Sequence, residues 1–302
     1  MASTPEIVEF QGTLEGSGFT SALLRWAAKS RRDLPWRSTR DSWAVLVSEV
    51  MLQQTQVSRA EAKYLEFLNF WPTPEDLARV QLSELLKFWT GLGYPRRARN
   101  LHQAAQQITK LHQGRVPQEL GQLLQLPGVG PYTARAVMVF AFETELGVVD
   151  TNVGRLLARW CGSSLRPKAA QELADKIVAP GQSWDWNQGL FDLAATVCTK
   201  RNPQCRSCPV KPWCAWQGAG KDPAEGSAGV SKRQQPFPGS NRQARGRLLS
   251  ALAQGSMKTS DAAAVMGLLG EPCRVAQLVN DLRDEGLVAS QGEVLLLGDL
   301  VK

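Results

Sequence analysis

Four cysteines, Cys198, Cys205, Cys208 and Cys214, lie close together in the segment 198–214. Thiols grouped this closely hold a metal ion or an iron–sulfur cluster, or form disulfides, and nothing in the chain indicates the secretion that disulfides require. Structural zinc usually takes two short Cys-x2-Cys or Cys/His pairs, whereas this segment has one such pair. The spacing therefore favours an iron–sulfur cluster, with zinc and unliganded cysteines as the alternatives.

An aspartate, Asp150, directly precedes the helical pattern TNVGRLLARWC. This position predicts an N-cap, in which the side chain accepts hydrogen bonds from the first backbone N–H groups of the helix. A carboxylate there is held ionised by the helix dipole and by these bonds. Such an anion could also stabilise a cation that develops beside it, so the structural and the chemical interpretations are compatible.

A glutamate, Glu49, lies in the otherwise apolar pattern SWAVLVSEVMLQQTQV. If it faces the core, desolvation should raise its pKa and keep it partly protonated near neutrality, so that it could donate a proton to a leaving group. The alternative is a glutamate on an exposed stripe of the helix. Gln53 and Gln54 follow, with amides that can bond base edges.

Three further segments could contact a polyanion. In LPGVGPYTARAV, Gly128, Val129 and Gly130 form a tight turn before a helix, and its backbone N–H groups could bind a phosphate. The segments RRDLPWR, residues 31–37, and GLGYPRRARNL, residues 91–101, combine cations with aromatic rings, as in Tyr94, Arg96 and Arg97. Each could hold phosphates and stack a base, and each could equally be a solvated basic loop.

The elements that position these residues are predicted to be mainly helical. Short helices joined by short loops fill most of the chain to about residue 218, a Gly/Pro/Ser-rich linker spans 219–242, and helices with a hairpin at LVASQGEVLLLG suggest a winged-helix-like module. That module would contact DNA or protein, or serve as a structural cap. The net charge of +7 suits a polyanionic partner. We expect a cytoplasmic location and no membrane partner, since the sequence has no signal-peptide pattern and no long apolar span.

Taken in order, RRDLPWR, SEVMLQQTQV, WTGLGY, LPGVGPYTA, the segment 150–152 and the cysteine quartet resemble the helix–hairpin–helix DNA glycosylases with an iron–sulfur cluster, and more narrowly the adenine glycosylases of the MutY type. The resemblance implies an all-α fold with a six-helix barrel, a cluster domain and one 4Fe-4S cluster. It implies these boundaries: an N-terminal extension 1–20, the cluster domain 21–42 and 148–218, the barrel 43–147, the basic linker 219–242 and the module 243–302.

The resemblance also implies roles for individual residues. Glu49 would protonate adenine and Asp150 would stabilise the oxocarbenium ion, supported by Tyr132 and Asn152. Residues near the flipped adenine would be Arg32, Leu34, Trp36, Arg37, Leu52 and Gln188. DNA contacts would come from Gln53, Gln54, Tyr94, Arg96, Arg97, Gly128, Val129 and Gly130, and the cluster ligands would be the four cysteines.

The function implied is a monofunctional glycosylase that removes adenine mispaired with 8-oxoguanine or guanine from double-stranded DNA, acting as a monomer. Tyr132 stands where related bifunctional enzymes have a lysine, and tyrosine cannot form a Schiff base. The alternatives are a mismatch thymine or uracil glycosylase of the same superfamily, against which Glu49 argues, and a non-catalytic iron–sulfur DNA-binding protein, which would need neither carboxylate.

Two features depart from the family pattern. Pro95 follows Tyr94 where the family usually has a second tyrosine, and residues 243–302 are too short for the C-terminal domain with which the family reads 8-oxoguanine. A short tail of this kind resembles the actinobacterial branch.

Overall fold

The computed structural model describes residues 10, 18–227 and 236–298, and the described chain is mainly helical, as predicted. The helices are α1 Phe19–Ser30, α2 Ser42–Leu52, α3 Val57–Phe70, α4 Pro74–Arg79, α5 Leu82–Trp89, α6 Arg96–Leu111, α7 Leu120–Leu123, α8 Pro131–Phe142, α9 Thr151–Cys161, α10 Pro167–Lys176, α11 Ser183–Thr196, α12 Asn241–Leu252, α13 Ala262–Met266 and α14 Pro272–Asp284. The strands are β1 Met257–Lys258, β2 Val288–Gln291 and β3 Val294–Leu297. No described helix is both long and apolar enough to cross a membrane.

The chain forms two compact units. The first comprises the described residues within Met1–Val45, Gln118–Leu120 and Gly130–Lys232, and the second those within Leu46–Pro117, Gly121–Val129 and Arg233–Lys302. The predicted cluster domain falls inside the first unit, whereas the predicted barrel segment 43–147 is shared by both. The predicted linker 219–242 falls partly outside the described residues. Its first part, however, is bonded to the first unit, because Ser227 Oγ accepts from the backbone N–H of Leu165 at 3.0 Å.

The core of the first unit is built by α1, α9, α10 and α11. On α1, Phe19, Leu23 and Ala27 repeat every four residues and are all buried, which places them on one face of the helix. Phe19 packs edge-on against Trp160 of α9, with ring centroids 5.1 Å apart. Gly189 of α11 lies so close to Ala27 that an added Cβ would be 3.0 Å from the alanine Cβ. Small residues therefore allow α1 and α11 to approach closely.

The core of the second unit lies among α3, α4, α5 and α6. Leu101, Ala105 and Ile108 form the buried stripe of α6 at three- and four-residue spacing. The short helix α4 begins in a capping box, in which Thr73 and Asp76 each accept from the other's backbone N–H at 3.2 Å.

The C-terminal module has the predicted helices and hairpin, and it belongs to the second unit. Its three antiparallel strands are ordered β1–β3–β2, with Val288 opposite Leu297 and Met257 opposite Leu295. Strand β1 was not predicted, because two residues are too few for an alternating pattern to be visible. The order of helices and strands is that of a winged helix, so the predicted fold class is confirmed.

Candidate active site and cysteine site

The predicted N-cap at Asp150 is present. One carboxylate oxygen, Oδ1, accepts from the backbone N–H groups of Asn152 at 2.8 Å and Val153 at 2.7 Å. The other, Oδ2, accepts from the side-chain amide of Asn152 at 2.8 Å. These three donors hold both carboxylate oxygens in a fixed orientation at the N-terminus of α9. Asn152 belongs to the same site as Asp150, because its backbone N–H and its side-chain amide both donate to this carboxylate.

Arg155, which sequence reasoning missed, connects this capped carboxylate to the cysteine segment. Its guanidinium donates to Asn152 Oδ1 at 3.0 Å and, on its other edges, to the carbonyls of Cys198 at 3.0 Å and Ala194 at 2.8 Å. Burial lowers the pKa of Arg155, and the opposite charges of Cys198 and Asp150 oppose that effect. Arg155 thus holds the side-chain amide oxygen of Asn152, while the amide nitrogen donates to Asp150.

The four cysteines of the predicted ligand set line one small cavity, together with Trp160 and Trp216. Burial raises the pKa of Cys208 to about 11. Burial also raises the pKa of Cys198, against the nearby guanidinium of Arg159, whose Nη1 lies 3.2 Å from the Cys198 sulfur. Because burial disfavours the ionised form of a thiol, Cys198 and Cys208 are ionised more readily when a positively charged group lies beside them.

Two further residues shape the cysteine cavity. Arg159 is 1% exposed, donates to Asp222 at 2.6 Å and lies over the Trp216 ring at 4.5 Å. Gly218 adopts a φ of 87°, and a Cβ at this position would lie 2.9 Å from the Cys205 sulfur. Only glycine therefore fits against that thiol.

The donor set fits the predicted cluster. Within the described residues, no three His, Cys, Asp or Glu side chains are grouped closely enough to hold a single metal ion. The four thiols nevertheless converge on the same cavity, and a 4Fe-4S cluster takes four cysteine sulfurs.

The segment RRDLPWR is fixed to α11 by Asp192, a residue that the sequence pattern did not single out. The Asp192 side chain is 1% exposed and accepts from Arg37 at 2.7 and 2.9 Å and from Arg32 Nε at 2.5 Å. Burial alone would raise the pKa of Asp192, but the bonds and charges of the two arginines outweigh it and hold the pKa below its ordinary value. Arg37 is thus a buried ion-pair partner, and the solvated-loop alternative does not apply to it.

The same part of the first unit contains three other predicted adenine-binding residues. Leu34 and Trp36 are each 9% exposed and Gln188 of α11 is 6% exposed. Their burial shows that these three side chains pack within the first unit and do not lie in an open loop.

Glu49 is 6% exposed, so the exposed-stripe alternative is wrong. Every residue of α2 from Trp43 to Val50 is buried, as expected for a helix that is apolar on all sides. The sequence alone could not decide between the alternatives, because such a helix has no polar face on which Glu49 could be placed.

The helix that carries Glu49 ends at Leu52, earlier than the polar run LQQTQV suggested. Gln54 adopts a left-handed φ of 56° and is exposed, and Gln53 and Leu52 are half-buried. The end of α2 is bound by Arg97, whose Nη1 donates to the carbonyls of Val50 and Met51 at 2.8 and 2.9 Å.

Arg97, a predicted DNA contact, therefore has a structural role within this unit. Its other guanidinium nitrogen, Nη2, donates to the carbonyls of Leu92 and Gly93 at 2.9 and 2.8 Å, and the residue is 8% exposed. Burial lowers its pKa to about 10, against the opposing effect of Tyr94. An arginine surrounded by backbone carbonyls is a structural clamp. Arg96, by contrast, is exposed.

The turn before α8 has the predicted conformation. Gly128 has a φ of 78°, and an added Cβ would lie 2.7 Å from the Asn100 Cβ, so glycine is required there. Gly130 caps α8, Val129 is buried, and Tyr132 is half-buried in the first turn of the helix.

Comparisons with known proteins agree with this fold. The model of the HhH-GPD superfamily of base excision DNA repair proteins matches residues 47–180. The chain is 43% identical over 237 residues to an adenine DNA glycosylase of Mycobacterium tuberculosis (strain CDC 1551 / Oshkosh), covering 76% of this chain and 77% of that one. It is 39% identical to the adenine DNA glycosylase of Mycolicibacterium smegmatis (strain ATCC 700084 / mc(2)155), covering 92% and 95%. The chain belongs to the adenine DNA glycosylase family.

The solved structure of a thermostable thymine-DNA glycosylase is also similar, with a TM-score of 0.64 and 34% identity over 66% of this chain and 95% of that chain. Membership of the adenine DNA glycosylase family confirms the resemblance drawn from the motifs. It also makes the chain an enzyme of a family that acts on N-glycosyl bonds in DNA.

Three buried charged residues of this family member, Arg155, Arg159 and Asp192, were not predicted, because each pairs with residues far away in the sequence.

Proposed function

We propose that this chain is a monofunctional, monomeric glycosylase that excises adenine mispaired with 8-oxoguanine or guanine in double-stranded DNA. The observation that carries the proposal is the burial of Glu49 within α2 in a member of the adenine glycosylase family. Desolvation disfavours the ionised form of a carboxyl group, so a buried glutamate is suited to donate a proton.

The proposed reaction uses the two carboxylates differently. The adenine is extruded from the base stack at a cost of a few kcal/mol. Glu49 then donates a proton to a ring nitrogen of adenine, the bond between the base and the sugar breaks, and the electron pair leaves with the base. Asp150, oriented by its three donors, stabilises the resulting oxocarbenium ion until water adds to the sugar, and the proton that this water loses restores the acid form of Glu49.

Tyr132 and Asn152 support this step in the proposal. Asn152 orients Asp150 through its side-chain amide, while Arg155 holds the amide oxygen. Tyr132 has no amine and cannot form the Schiff base that strand cleavage by a bifunctional enzyme requires. The product is therefore an intact strand with an abasic site.

Further residues would bind the extruded base and the duplex. We assign binding of the extruded adenine to Arg32, Leu34, Trp36, Arg37, Leu52 and Gln188. The duplex would contact Gln53, Gln54, Tyr94, Arg96 and the turn at Gly128, Val129 and Gly130, whose backbone N–H groups suit a phosphate. Because Arg37 is paired with Asp192, it also holds the segment RRDLPWR in place beside the adenine.

One 4Fe-4S cluster would be held by Cys198, Cys205, Cys208 and Cys214. When bound, it would supply positive iron to the four thiolates and would fix the loop between them. The loop contains Lys200, Arg201 and Arg206, which would face the DNA backbone.

A thymine glycosylase is the second candidate, favoured by the similarity to the thermostable thymine-DNA glycosylase. Single-turnover base release separates the two. We expect release of adenine from duplexes with adenine opposite 8-oxoguanine or guanine, little release of adenine opposite thymine, and an intact strand until the abasic site is treated with alkali. Release of thymine from a G·T duplex at a comparable rate, or strand nicking that keeps pace with base release, would overturn the proposal.

A further inference from the structure

The tryptophan at the cysteine cavity, Trp216, carries a buried polar atom that the protein does not satisfy. Trp216 lines this cavity together with the four cysteines. Its indole nitrogen Nε1 is buried, and none of the described residues offers it a hydrogen-bond acceptor. A buried N–H group without an acceptor is energetically costly, so such groups are usually paired. The ligand of the cavity is therefore expected to supply the acceptor.

The position of the Trp216 ring is fixed by contacts with the end of α9. The backbone N–H of Trp216 donates to the carbonyl of Arg159 at 3.1 Å, and the Arg159 guanidinium lies 4.5 Å from the centre of the indole ring. Asp222 holds this guanidinium through bonds of 2.6 and 3.1 Å, and it also accepts from the backbone N–H of Ala224 at 3.0 Å. The ring is thus held between α9 and the segment that follows the last cysteine.

That segment, residues 215–218, packs directly on two of the cysteines. The backbone N–H of Gln217 lies 3.5 Å from the sulfur of Cys214. Gly218 leaves so little room that an added Cβ would lie 2.9 Å from the Cys205 sulfur. Because Trp216 lies between these two close contacts in the sequence, its ring stays near the thiols.

Two other tryptophans of the first unit show what is particular to Trp216. Trp186 also has a buried indole nitrogen without an acceptor among the described residues, but it is 0% exposed within the hydrophobic core. Trp213 belongs to the same loop as Trp216, yet its ring packs edge-on against Phe19 at 5.8 Å and is not part of the cavity wall that the structure describes. Trp216 combines the unsatisfied N–H group with a place at the cysteine cavity.

We propose that the indole N–H of Trp216 donates a hydrogen bond to a sulfur of the iron–sulfur cluster and thereby raises the reduction potential of the cluster. The inference rests on the 4Fe-4S cluster proposed above. Hydrogen bonds to the sulfurs are among the factors that set the potential of such clusters. An added electron makes the sulfurs more negative, so a donor stabilises the reduced form more than the oxidised form. Arg159 lies 3.2 Å from the Cys198 sulfur, so Trp216 would be a second side-chain donor at this site.

The first experiment compares the full, cluster-loaded chain with the variant Trp216→Phe, which keeps an aromatic ring against Arg159 but lacks the N–H group. A redox titration follows the one-electron reduction of the cluster, in which a mediator supplies the electron and no proton is transferred. Loss of the bond should lower the ratio of reduced to oxidised cluster at a fixed potential about tenfold, a shift of about 59 mV to more negative values. Trp213→Phe is the matched control and should leave the potential unchanged.

A second experiment detects the contact in the unsubstituted chain. With ¹⁵N in the indole ring of tryptophan, pulsed EPR of a paramagnetic state of the cluster should show a ¹⁵N coupling. Trp213→Phe should retain this coupling and Trp216→Phe should lose it. A cluster without ¹⁵N coupling in the wild-type chain would overturn the inference and indicate that Trp216 bonds a buried water or only packs. An unchanged potential in Trp216→Phe would also overturn it.

Failure of the proposed cofactor or activity gives different results. A colourless wild-type chain that binds zinc would refute the proposed cluster, and the inference with it. Adenine release is measured separately on the same preparation. A cluster-loaded chain that shows the ¹⁵N coupling but releases no adenine would refute the proposed function and leave the role of Trp216 intact.

Discussion

Asp192 offers a sharp test of how the segment RRDLPWR is held, through the substitution Asp192→Asn. The carboxylate is 1% exposed and accepts three side-chain N–H bonds from Arg32 and Arg37. Arg37 is itself 8% exposed. Removing one partner of a buried ion pair leaves the other charge unpaired and costs about 3–5 kcal/mol. Because asparagine keeps one acceptor oxygen, we expect a loss near the lower end, about 3 kcal/mol in the free energy of unfolding.

The same segment and the same helix supply a matched control. Arg31 pairs with Asp185 of α11, but these side chains are 38% and 46% exposed. Surface ion pairs contribute about 0–1 kcal/mol, so Asp185→Asn should lower stability by less than about 1 kcal/mol. Urea denaturation of both variants measures the two losses. Equal losses for Asp192→Asn and Asp185→Asn would refute the view that Asp192 anchors the segment.

The effect of Asp192 should depend on pH in a defined direction. Its pKa is lower in the folded chain than the ordinary 3.8, because the bonds and charges of Arg37 and Arg32 outweigh the opposing effect of burial. A carboxyl group of this kind contributes stability above its unfolded pKa, and that stability is lost as the pH falls through the folded pKa. The difference in the free energy of unfolding between wild type and Asp192→Asn should therefore have its full value at neutral pH and become smaller below pH 3.8. A difference that grows on acidification would contradict the argument.

Three further predictions follow from the contacts of single side chains. Arg97→Met should lower the free energy of unfolding, measured in urea, by at least about 3 kcal/mol, because four backbone carbonyls lose a donor. Arg96 is exposed, so Arg96→Met should lower it by less than about 0.5 kcal/mol and should mainly weaken duplex binding. Arg155→Met should slow single-turnover adenine release by roughly tenfold to a hundredfold, through misplacement of the capped aspartate, while duplex affinity is retained. Cys208→Ala should abolish iron content and visible absorption, and Cys273→Ala, an exposed thiol, should preserve both.

Local signals in the sequence predicted the parts of the site that depend on neighbouring residues. Asp150 marks the start of α9, and the structure has the helix begin directly after it, with the Asp150 side chain as its N-cap. The cysteine spacing similarly favoured one common cluster site, and the four cysteines, which lie in one short segment, line one cavity. In both cases the chain has few ways to arrange residues so close together.

The remaining features depend on pairs that are distant in sequence. Arg37 and Asp192 are separated by 155 positions, and no pattern in either segment indicates that they meet. The structural role of Arg97 was missed for the same reason, because a basic loop and a buried clamp have the same local sequence. The sequence could not show whether Glu49 faces the core or the solvent, since α2 is apolar on every side. Packing decides these positions, and packing is not visible in short-range periodicity.

The central claim is that Glu49 donates the proton that releases adenine, and Glu49→Gln tests it most directly. Single-turnover release from an adenine·8-oxoguanine duplex should fall by about a hundredfold or more, because glutamine is nearly isosteric but cannot act as the acid, while binding of the duplex is retained. Glu66→Gln, in an exposed surface pair with Lys63, is the control and should leave release unchanged. Adenine release by Glu49→Gln at the wild-type rate would contradict the account.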